Sequence, residues 1–297
     1  MYVYLNGKIV PSKEALVSVF DHGFLYGDGI YETMRVYDRV IFMLDEHLQR
    51  LRRSASLIGL TIPIDADGLK IAVYETLIAN ALMNAYVRLT ISRGQGELGL
   101  DPDLCPQPTV AIIAQELREY PKAYYENGLS LIISNTRRNL KEAVNPQIKS
   151  LNFLNNILAK IEAKKQGAYE AVMLNARGKI TEGTICNLFF YKDGVVCTPS
   201  LACGILDGIT RGIVIELAGR EGLSVKEGAY TKTDLYSAEE VFVTNTTMEV
   251  MPVSKLDDHK YPAGNLSKSL RKLYRQEVNA YIKNTKAAGP SLWGQNG

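Results

Sequence analysis

Strand-like and helix-like segments alternate along most of this chain. The residues Leu48, Leu51, Ala55 and Ile58 recur at the spacing of one helical face, whereas "AYVRLTIS" (85–92) has the pattern of a strand. Further strands are expected within 29–44, 109–115, 129–134, 170–176, 184–191, 195–200 and 240–245, and further helices at 67–82, 152–166, 210–222 and 266–284. Since both kinds of segment occur throughout, we expect an α/β (α+β) fold.

The chain of 297 residues is long enough for two domains, each with its own core. We expect an N-terminal α/β domain over 1–120, an interdomain linker over 121–128 and a C-terminal domain over 129–297. Turn-like residues at 175–179 ("NARGK") and 191–195 ("YKDGV") indicate hairpins, which predicts a largely antiparallel or mixed sheet in the second domain. The last residues, "AAGPSLWGQNG", are expected to form a loose tail.

Charge and composition exclude several classes of protein. The formal net charge is only +2 and the basic residues are scattered, which argues against a nucleic-acid-binding protein. The chain lacks the run of roughly 20 apolar residues that a membrane span needs, and its start does not resemble a secretion signal. Four cysteines without CxxC spacing and three histidines predict no metal site. We expect a cytoplasmic protein with reduced thiols, in which Cys186 and Cys197 are small core residues.

Lys149 lies in "NPQIKSLNFLNNILAK" (145–160), just before an expected helix. One interpretation is an ordinary solvated lysine. The other is an amine whose pKa is lowered by the positive end of the helix and by its apolar neighbours Ile148 and Leu151. Such an amine can form a Schiff base with an aldehyde, and pyridoxal phosphate is the aldehyde cofactor that proteins hold in this way.

Two further segments are candidates for binding a phosphate. Ile209 and Thr210 follow Gly208 at the start of an expected helix, where free N–H groups attract anions. The alternative is that Thr210 caps its own helix. The hydroxyl-rich turn at Thr246 and Thr247 could supply more donors, or it could be only a turn.

Two charged residues are also candidates. Arg50 could pair with the same phosphate, although a helical arginine is more often solvated. Glu182 interrupts the apolar segment "KITEGTICNLFF" and could bind the cofactor's pyridinium nitrogen. It could instead be an exposed strand residue beside a bend.

Seven segments in order resemble the fold type IV pyridoxal-phosphate enzymes, and among them most closely the branched-chain amino acid aminotransferases. The resemblance covers about residues 1–280. The segments are "VSVFDHGFLYGDGIYE", "EHLQRLRRSA", "YVRLTISRGQGELGLDP", "IKSLNFLNNILAKIEA", "ITEGTICNLFF", "LDGITR" and "NTTMEVMPV".

The resemblance implies two α/β domains with the active site at their interface, and a role for each candidate residue. Lys149 would form the Schiff base with pyridoxal phosphate and act as general acid and base, and Glu182 would keep the pyridine nitrogen protonated. The phosphate would be bound by Arg50, Ile209, Thr210 and Thr246. The implied reaction transfers the amino group between the branched-chain L-amino acids leucine, isoleucine or valine and 2-oxoglutarate.

The same resemblance implies how substrates are recognised. Tyr86 and Arg88 match the substrate-recognition pair of the branched-chain enzymes, with Arg88 receiving the distal carboxylate of glutamate. Tyr26 would hold the α-carboxylate together with the turn amides of Thr246 and Thr247. Leu98 and Leu100, in a long Gly/Pro-rich loop, would reach the pocket of a partner subunit, which implies at least a homodimer.

Two other subfamilies share part of this pattern. D-amino acid aminotransferases share "IKSLN" and a Tyr31-Glu32 element but have an Arg-x-His pair where this chain has "GQGELGL". Aminodeoxychorismate lyases carry a histidine where this chain has Ser150. A catalytically silent binding protein would be indicated by the loss of Lys149 or Glu182, and both are present.

The chain also departs from the branched-chain pattern at two places. Tyr31-Glu32-Thr33 replaces Phe-Glu-Gly, so Tyr31 adds a hydroxyl to the pocket wall. Phe153 replaces a tyrosine that binds the cofactor. Activity towards D-amino acids or (R)-amines is therefore the alternative expectation.

Overall fold

The computed structural model describes residues 1–262 and 264–288 and contains two β-sheets with helices. The helices are α1 (His22–Tyr26), α2 (Leu44–Leu57), α3 (Ala66–Ala79), α4 (Lys122–Asn127), α5 (Leu154–Lys165), α6 (Ile209–Arg220), α7 (Lys232–Tyr236) and α8 (Asn265–Ala287). The strands are β1 (Tyr2–Leu5), β2 (Lys8–Pro11), β3 (Gly29–Tyr37), β4 (Val40–Ile41), β5 (Ala85–Ser92), β6 (Thr109–Glu116), β7 (Leu129–Ile133), β8 (Glu170–Leu174), β9 (Ile180–Gly183), β10 (Asn187–Lys192), β11 (Val195–Pro199), β12 (Ser224–Gly228), β13 (Glu240–Asn245), β14 (Glu249–Leu256) and β15 (His259–Lys260). The expected α/β class is confirmed. The predicted C-terminal tail, 287–297, lies almost wholly outside the described residues.

The chain divides by its internal contacts into two compact units. The first unit comprises Met1–Arg118, Ile148–Asn152 and the chain from Val278, and the second comprises Glu119–Gln147 and Phe153–Glu277. The boundary after Arg118 lies next to the predicted end of the first domain. The helix α4 lies within 121–128, and Lys149 groups with the first unit. The division into 1–120, 121–128 and 129–297 stays a prediction.

The first unit is built on a six-stranded sheet of antiparallel pairs in the order β2-β1-β6-β5-β3-β4. Val87, Leu89 and Ile91 of β5 are fully buried because alternate side chains of a strand share one face. Leu48 and Leu51 of α2 join the same core, together with apolar residues of α3. The helical face predicted from the spacing is therefore the face that is buried.

Two tight turns follow directly from residue type. Asn6 and Gly7 both have positive φ, 47° and 88°, between the antiparallel strands β1 and β2. This is the turn that an Asn-Gly pair favours in a hairpin. Asp38 and Arg39, with φ of 46° and 68°, connect the antiparallel strands β3 and β4.

The second unit is built on a nine-stranded mixed sheet. Its strands follow the order β12-β11-β10-β13-β14-β7-β8-β9, with β15 paired to β14. The β11–β12, β14–β7 and β7–β8 pairs are parallel and the others are antiparallel, which confirms the predicted mixed sheet. Cys186 and Cys197 are buried in its apolar core, as expected, and all four cysteines are free. Within 1–262 and 264–288, no helix combines the length and apolar character needed to cross a membrane.

Candidate active site

The segment Ile148–Asn152 is held against the edge of β3. The N–H of Tyr31 donates to the carbonyl of Lys149 at 2.9 Å, and the N–H of Leu151 donates to the carbonyl of Gly29 at 2.9 Å. β4 pairs only with the far end of β3, so this edge is open to the segment. Lys149 is thus positioned by backbone pairing to a strand.

The prediction that Lys149 lies at the positive end of a helix is therefore wrong. The helix α5 begins at Leu154 and its N-cap residue is Phe153, so Lys149 lies outside the first helical turn. A helix dipole acts only within that first turn. The physical reason is that Ile30 forms a bridge with Ser150, which keeps the chain extended past the lysine.

The amine of Lys149 lies against the side chain of Tyr31. Its Nζ is 3.3 Å from the Tyr31 hydroxyl and 4.4 Å from the ring centroid. The guanidinium carbon of Arg88 is 3.9 Å from the centroid of the same ring. Burial raises the pKa of the Tyr31 hydroxyl, and Arg88 opposes this only in part, so the phenol remains protonated. The three predicted site residues Lys149, Tyr31 and Arg88 are therefore brought together.

Tyr31, Tyr86 and Arg88 lie on one face of the sheet. In the β3–β5 register Tyr31 pairs with Thr90 and Arg35 pairs with Tyr86, while Arg88 lies between these two pairs on β5. Because successive side chains of a strand alternate, Tyr31 and Glu32 point to opposite faces. The predicted Tyr86-x-Arg88 pair thus shares the face that carries Tyr31.

Arg50 lies on the other face of β3, in a buried cluster with Glu32 and His47. Its Nε and Nη2 each lie 2.7 Å from a different oxygen of the Glu32 carboxylate. His47 Nδ1 is 2.7 Å from the same carboxylate, and all three residues are at most 4 % exposed. The expectation of a solvated Arg50 is therefore wrong, whereas its binding of phosphate stays a prediction.

The pKa of the Glu32 carboxyl lies well below its usual range. Burial alone would raise it, but the charge and hydrogen bonds of Arg50, followed by those of His47, lower it more strongly. The carboxylate therefore contributes stability above its ordinary pKa of 4.5, and this stability is lost as the pH falls below that value. Burial also lowers the pKa of His47, so acid further destabilises the fold by forcing a proton onto a buried ring.

Substitution Glu32→Gln is expected to lower the free energy of unfolding at pH 7 by about 3–5 kcal/mol, because it removes the negative charge that pairs with the buried Arg50. The variant should also lose less stability than the wild type when the pH falls below 4.5. Urea unfolding followed by circular dichroism between pH 7 and pH 3 measures both effects. Glu14→Gln, at an exposed carboxylate, is the control. Identical unfolding curves for the wild type and Glu32→Gln would contradict the stabilising role of the cluster.

The loop of Leu98 and Leu100 is anchored by α1. His22 Nε2 is 2.9 Å from the carbonyl of Glu97, and the N–H of Gly99 donates to the Tyr26 hydroxyl at 3.3 Å. The two leucines remain 69 % and 82 % exposed. Tyr26 thus touches the loop that the sequence assigns to substrate recognition, and the two apolar side chains project from it.

In the second unit Glu182 is a buried, paired carboxylate. Arg138 Nε and Nη2 lie 3.0 and 2.9 Å from its Oε1, and the N–H of Leu206 donates to Oε2 at 3.0 Å. Only 5 % of Glu182 is exposed, so the interpretation as an exposed strand residue is wrong. Sequence reasoning missed Arg138, because nothing in "NTRRNLKEA" distinguishes it from the neighbouring Arg137.

The start of α6 lacks a capping side chain. Its N-cap residue is Gly208, and Thr210, which is 4 % exposed, lies inside the helix. The interpretation of Thr210 as the cap is therefore wrong. The first N–H groups of a helix have no partner within it, so those of Ile209 and Thr210 can bind an anion. A Cβ on Gly208 would lie 1.9 Å from Asn187 Oδ1, so any larger residue here would displace the Asn187 side chain.

In the turn between β13 and β14, the N–H of Thr247 is already hydrogen-bonded, whereas Thr246 still has donors for a ligand. Asn245 Oδ1 accepts the N–H groups of Thr247 at 3.0 Å and of Met248 at 2.8 Å. In the part of the chain that the structure describes, the N–H and hydroxyl of Thr246 have no such partner. The predicted role of the Thr247 amide thus requires that it leave Asn245.

One further hydroxyl of the same sheet is buried and unpaired. Thr244 Oγ1 has no hydrogen-bond partner among the described residues, and Thr244 pairs in register with Asn187. Paired residues of neighbouring strands project to the same face. Asn187 Nδ2 approaches Glu182 at 3.4 Å. A buried hydroxyl without a partner is rare in proteins, so Thr244 is a further donor that a bound ligand could satisfy.

Comparison with known proteins identifies the family. The family model described as "Amino-transferase class IV" matches residues 29–256. The chain belongs to the class IV aminotransferases.

Relatives of this class IV aminotransferase cover nearly its whole length. A protein of Methanocaldococcus jannaschii named "Putative branched-chain-amino-acid aminotransferase" is 45% identical, over 93% of this chain and 96% of its own. An aminodeoxychorismate lyase of Bacillus subtilis is 35% identical, over 94% and 96%. A D-alanine aminotransferase of Bacillus licheniformis is 34% identical, over 89% and 91%.

Solved structures of branched-chain aminotransferases have the same fold. The enzyme of Thermoproteus uzoniensis with norvaline has a TM-score of 0.88 and 35% identity, over 93% of this chain and 94% of its own. The T.th. enzyme with pyridoxamine 5'-phosphate has a TM-score of 0.90 and 34% identity, over 93% of both chains. With N-(5'-phosphopyridoxyl)-L-glutamate it has a TM-score of 0.89 and 33% identity, over 94% of both. The predicted fold type IV architecture is confirmed.

Proposed function

We propose that this class IV aminotransferase is a pyridoxal-phosphate-dependent transaminase that exchanges the amino group between branched-chain L-amino acids and 2-oxoglutarate. The observation that carries the proposal is the contact of the Lys149 amine and the Arg88 guanidinium with one tyrosine ring. It supports the proposal because a lysine amine, which could act as the nucleophile, lies near a cation suited to a carboxylate substrate. The similarity to branched-chain aminotransferases supports the substrate class.

The described side chains suit the phosphate and the ring nitrogen of the cofactor. The N–H groups of Ile209 and Thr210 and the donors of Thr246 suit the phosphate, and Arg50 would add a positive charge. Glu182, which forms an ion pair with Arg138, would hold the ring nitrogen in its protonated form. When bound, pyridoxal phosphate supplies an electron-withdrawing ring that stabilises charge at the substrate Cα.

The chain's own groups can supply the proton transfer and the substrate contacts. Lys149 Nζ, beside the Tyr31 hydroxyl, would take up and return the substrate proton. Arg88 would bind the distal carboxylate of glutamate, and Tyr26, Tyr86 and Thr247 would orient the amino acid. The binding of a leucine or valine side chain needs apolar contacts of the kind that Leu98 and Leu100 offer.

We also propose a homodimer, on the basis of the apolar surface of the first unit. Leu98, Leu100, Phe24 and Leu16 are each more than two-thirds exposed. Phe24 belongs to α1, which contacts the loop of Leu98 and Leu100, and neighbouring exposed apolar side chains mark interaction sites. Light scattering should therefore report at least two chains per particle, and a fully active monomer would contradict this assembly. A cytoplasmic location stays a prediction.

The substrate class can be tested by single-turnover reactions. Purified protein loaded with pyridoxal phosphate is mixed separately with L-leucine, L-valine, L-glutamate, D-alanine and D-glutamate, and the loss of the cofactor's visible absorbance is followed. Fast loss with the L-amino acids alone supports the proposal. Fast loss with the D-amino acids would favour the alternative, a D-amino acid or (R)-amine transaminase, which the Tyr31 hydroxyl beside Lys149 supports.

Arg88→Ala is expected to separate the two substrates of the exchange. A charge-assisted hydrogen bond contributes about 1.5–3 kcal/mol, so kcat/KM for L-glutamate should fall about 10- to 100-fold. The value for L-leucine, which has no distal carboxylate, should change by less than about threefold by the same reasoning. Half-reaction kinetics with each amino acid measure the difference. Equal losses for both would contradict a specific role for Arg88.

A further inference from the structure

Glu249 is an unusual residue to find beside the Thr246–Met248 turn. Its φ of +63° lies in the left-handed region, which residues other than glycine rarely adopt. Of the eight described non-glycine residues with positive φ, Glu249 alone is buried, and it is 0 % exposed. A strained backbone and a buried carboxylate at one position both need support from the surroundings, and such positions are typical of functional sites.

Two arginines of α8 supply the charges that pair with this carboxylate. Arg275 Nε is 2.7 Å and Arg271 Nε is 3.3 Å from Glu249 Oε2. Charge-assisted hydrogen bonds of this kind are directional, so they fix the orientation of the acceptor. The side chain of Glu249, the first residue of β14, is therefore held by a helix that is not part of the β13–β14 pair.

Arg271 is connected to the turn by a second route. The guanidinium carbon of Arg271 lies 3.6 Å above the ring of Tyr125 in α4. The hydroxyl of Tyr125 donates to the carbonyl of Met248 at 3.3 Å. Glu249 and Met248 are thus both anchored to Arg271, one directly and one through Tyr125. Thr246 and Thr247, which precede Met248 in the same turn, are the residues predicted to contact the ligand.

We propose that Glu249 is a positioning residue, which holds the turn in the shape that presents the free N–H and hydroxyl of Thr246 to the cofactor phosphate. This inference rests on the proposed function, because it assumes that Thr246 binds that phosphate. Loss of the carboxylate removes the support of the strained backbone at Glu249, so the turn that ends there can change shape. The protein should then bind the phosphate group of the cofactor more weakly, while its contacts with the rest of the cofactor remain.

The test compares pyridoxal phosphate with pyridoxal, which lacks the phosphate. The full-length protein and its Glu249→Gln variant, both freed of cofactor, are titrated with each compound, and binding is followed by absorbance. We expect Glu249→Gln to weaken the binding of pyridoxal phosphate about tenfold, in line with the loss of one charge-assisted contact network. Binding of pyridoxal should be unchanged within about twofold, since it makes no phosphate contact.

Glu240→Gln is the matched control. Glu240 is a buried carboxylate at the opposite end of β13, where it accepts the N–H groups of Leu266 at 3.0 Å and Ser267 at 2.7 Å. Its substitution should lower the unfolding temperature and leave the ratio of the two affinities unchanged. A lower unfolding temperature for Glu249→Gln with an unchanged ratio would overturn the proposal.

Tyr125→Phe provides a second variant if Glu249→Gln does not fold. It removes the hydroxyl that binds Met248 and keeps the ring beneath Arg271, so it should weaken pyridoxal phosphate alone by about two- to threefold. An unchanged ratio in this variant would also contradict the proposal. Wild-type protein that binds neither compound would instead refute the proposed function, and the inference would fall with it.

Discussion

Replacement of Lys149 by alanine is expected to abolish transamination, with a loss of rate of at least about 10⁴-fold. The variant has no amine to hold the cofactor and none to move the substrate proton, and effects of this size follow when a group with both roles is removed. The amine also lies 3.3 Å from the Tyr31 hydroxyl, a contact that alanine cannot make. The rate of 2-oxo acid formation from L-leucine and 2-oxoglutarate measures the loss.

Lys164→Ala is the control for this experiment. Lys164 is an exposed residue near the end of α5, and its substitution should leave the rate unchanged. Circular dichroism of Lys149→Ala should show an intact fold, because the backbone of Lys149, which pairs with Tyr31, remains in place. More than a tenth of the wild-type rate in Lys149→Ala would exclude the assigned role.

Strong periodicity made the first unit predictable from sequence. The helix α2 and the strands β5 and β6 are found where the spacing of apolar residues places them. Each has one buried face, so its pattern follows directly from packing against a single core. The hairpin at Asn6-Gly7 is equally predictable from the sequence, because few residue pairs tolerate two positive φ angles.

Elements of the second unit without such periodicity were missed. The short helix α4 lies in a polar stretch that is typical of a linker, and β12 lies at the edge of the sheet among the described strands. The strand β14 starts at Glu249, a buried charged residue in a left-handed conformation, which sequence patterns do not anticipate. Tertiary contacts, in this case the arginines of α8, decide the structure there.

The candidate residues were recognised from the family resemblance more than from local chemistry. Spacing alone left Glu182 and Thr210 open between two interpretations, and their burial now excludes the exposed and capping ones. The pairing of Arg50 with Glu32, and of Glu182 with Arg138, was not predicted. These partners are distant in sequence, so nothing local indicates that they meet.

Glu182→Gln is expected to lower kcat by about 10²–10³-fold, the usual cost of removing one preorganised electrostatic contact at a reacting group. The amide keeps the shape of the side chain but carries no negative charge, so it cannot keep the ring nitrogen protonated. Steady-state kinetics at saturating pyridoxal phosphate separate this effect from weaker cofactor binding. A variant within about threefold of the wild type would mean that the ring nitrogen needs no carboxylate partner.

Arg138 decides how the result for Glu182 is interpreted. In Glu182→Gln its guanidinium, 9 % exposed at the side chain, loses the carboxylate that lies 2.9 Å away. An unpaired buried cation destabilises the fold by about 3–5 kcal/mol and repels a protonated ring nitrogen. The double variant Glu182→Gln/Arg138→Gln removes that cation, so it should recover stability without recovering kcat. Recovery of kcat as well would show that the unpaired arginine, and not the missing carboxylate, causes the loss.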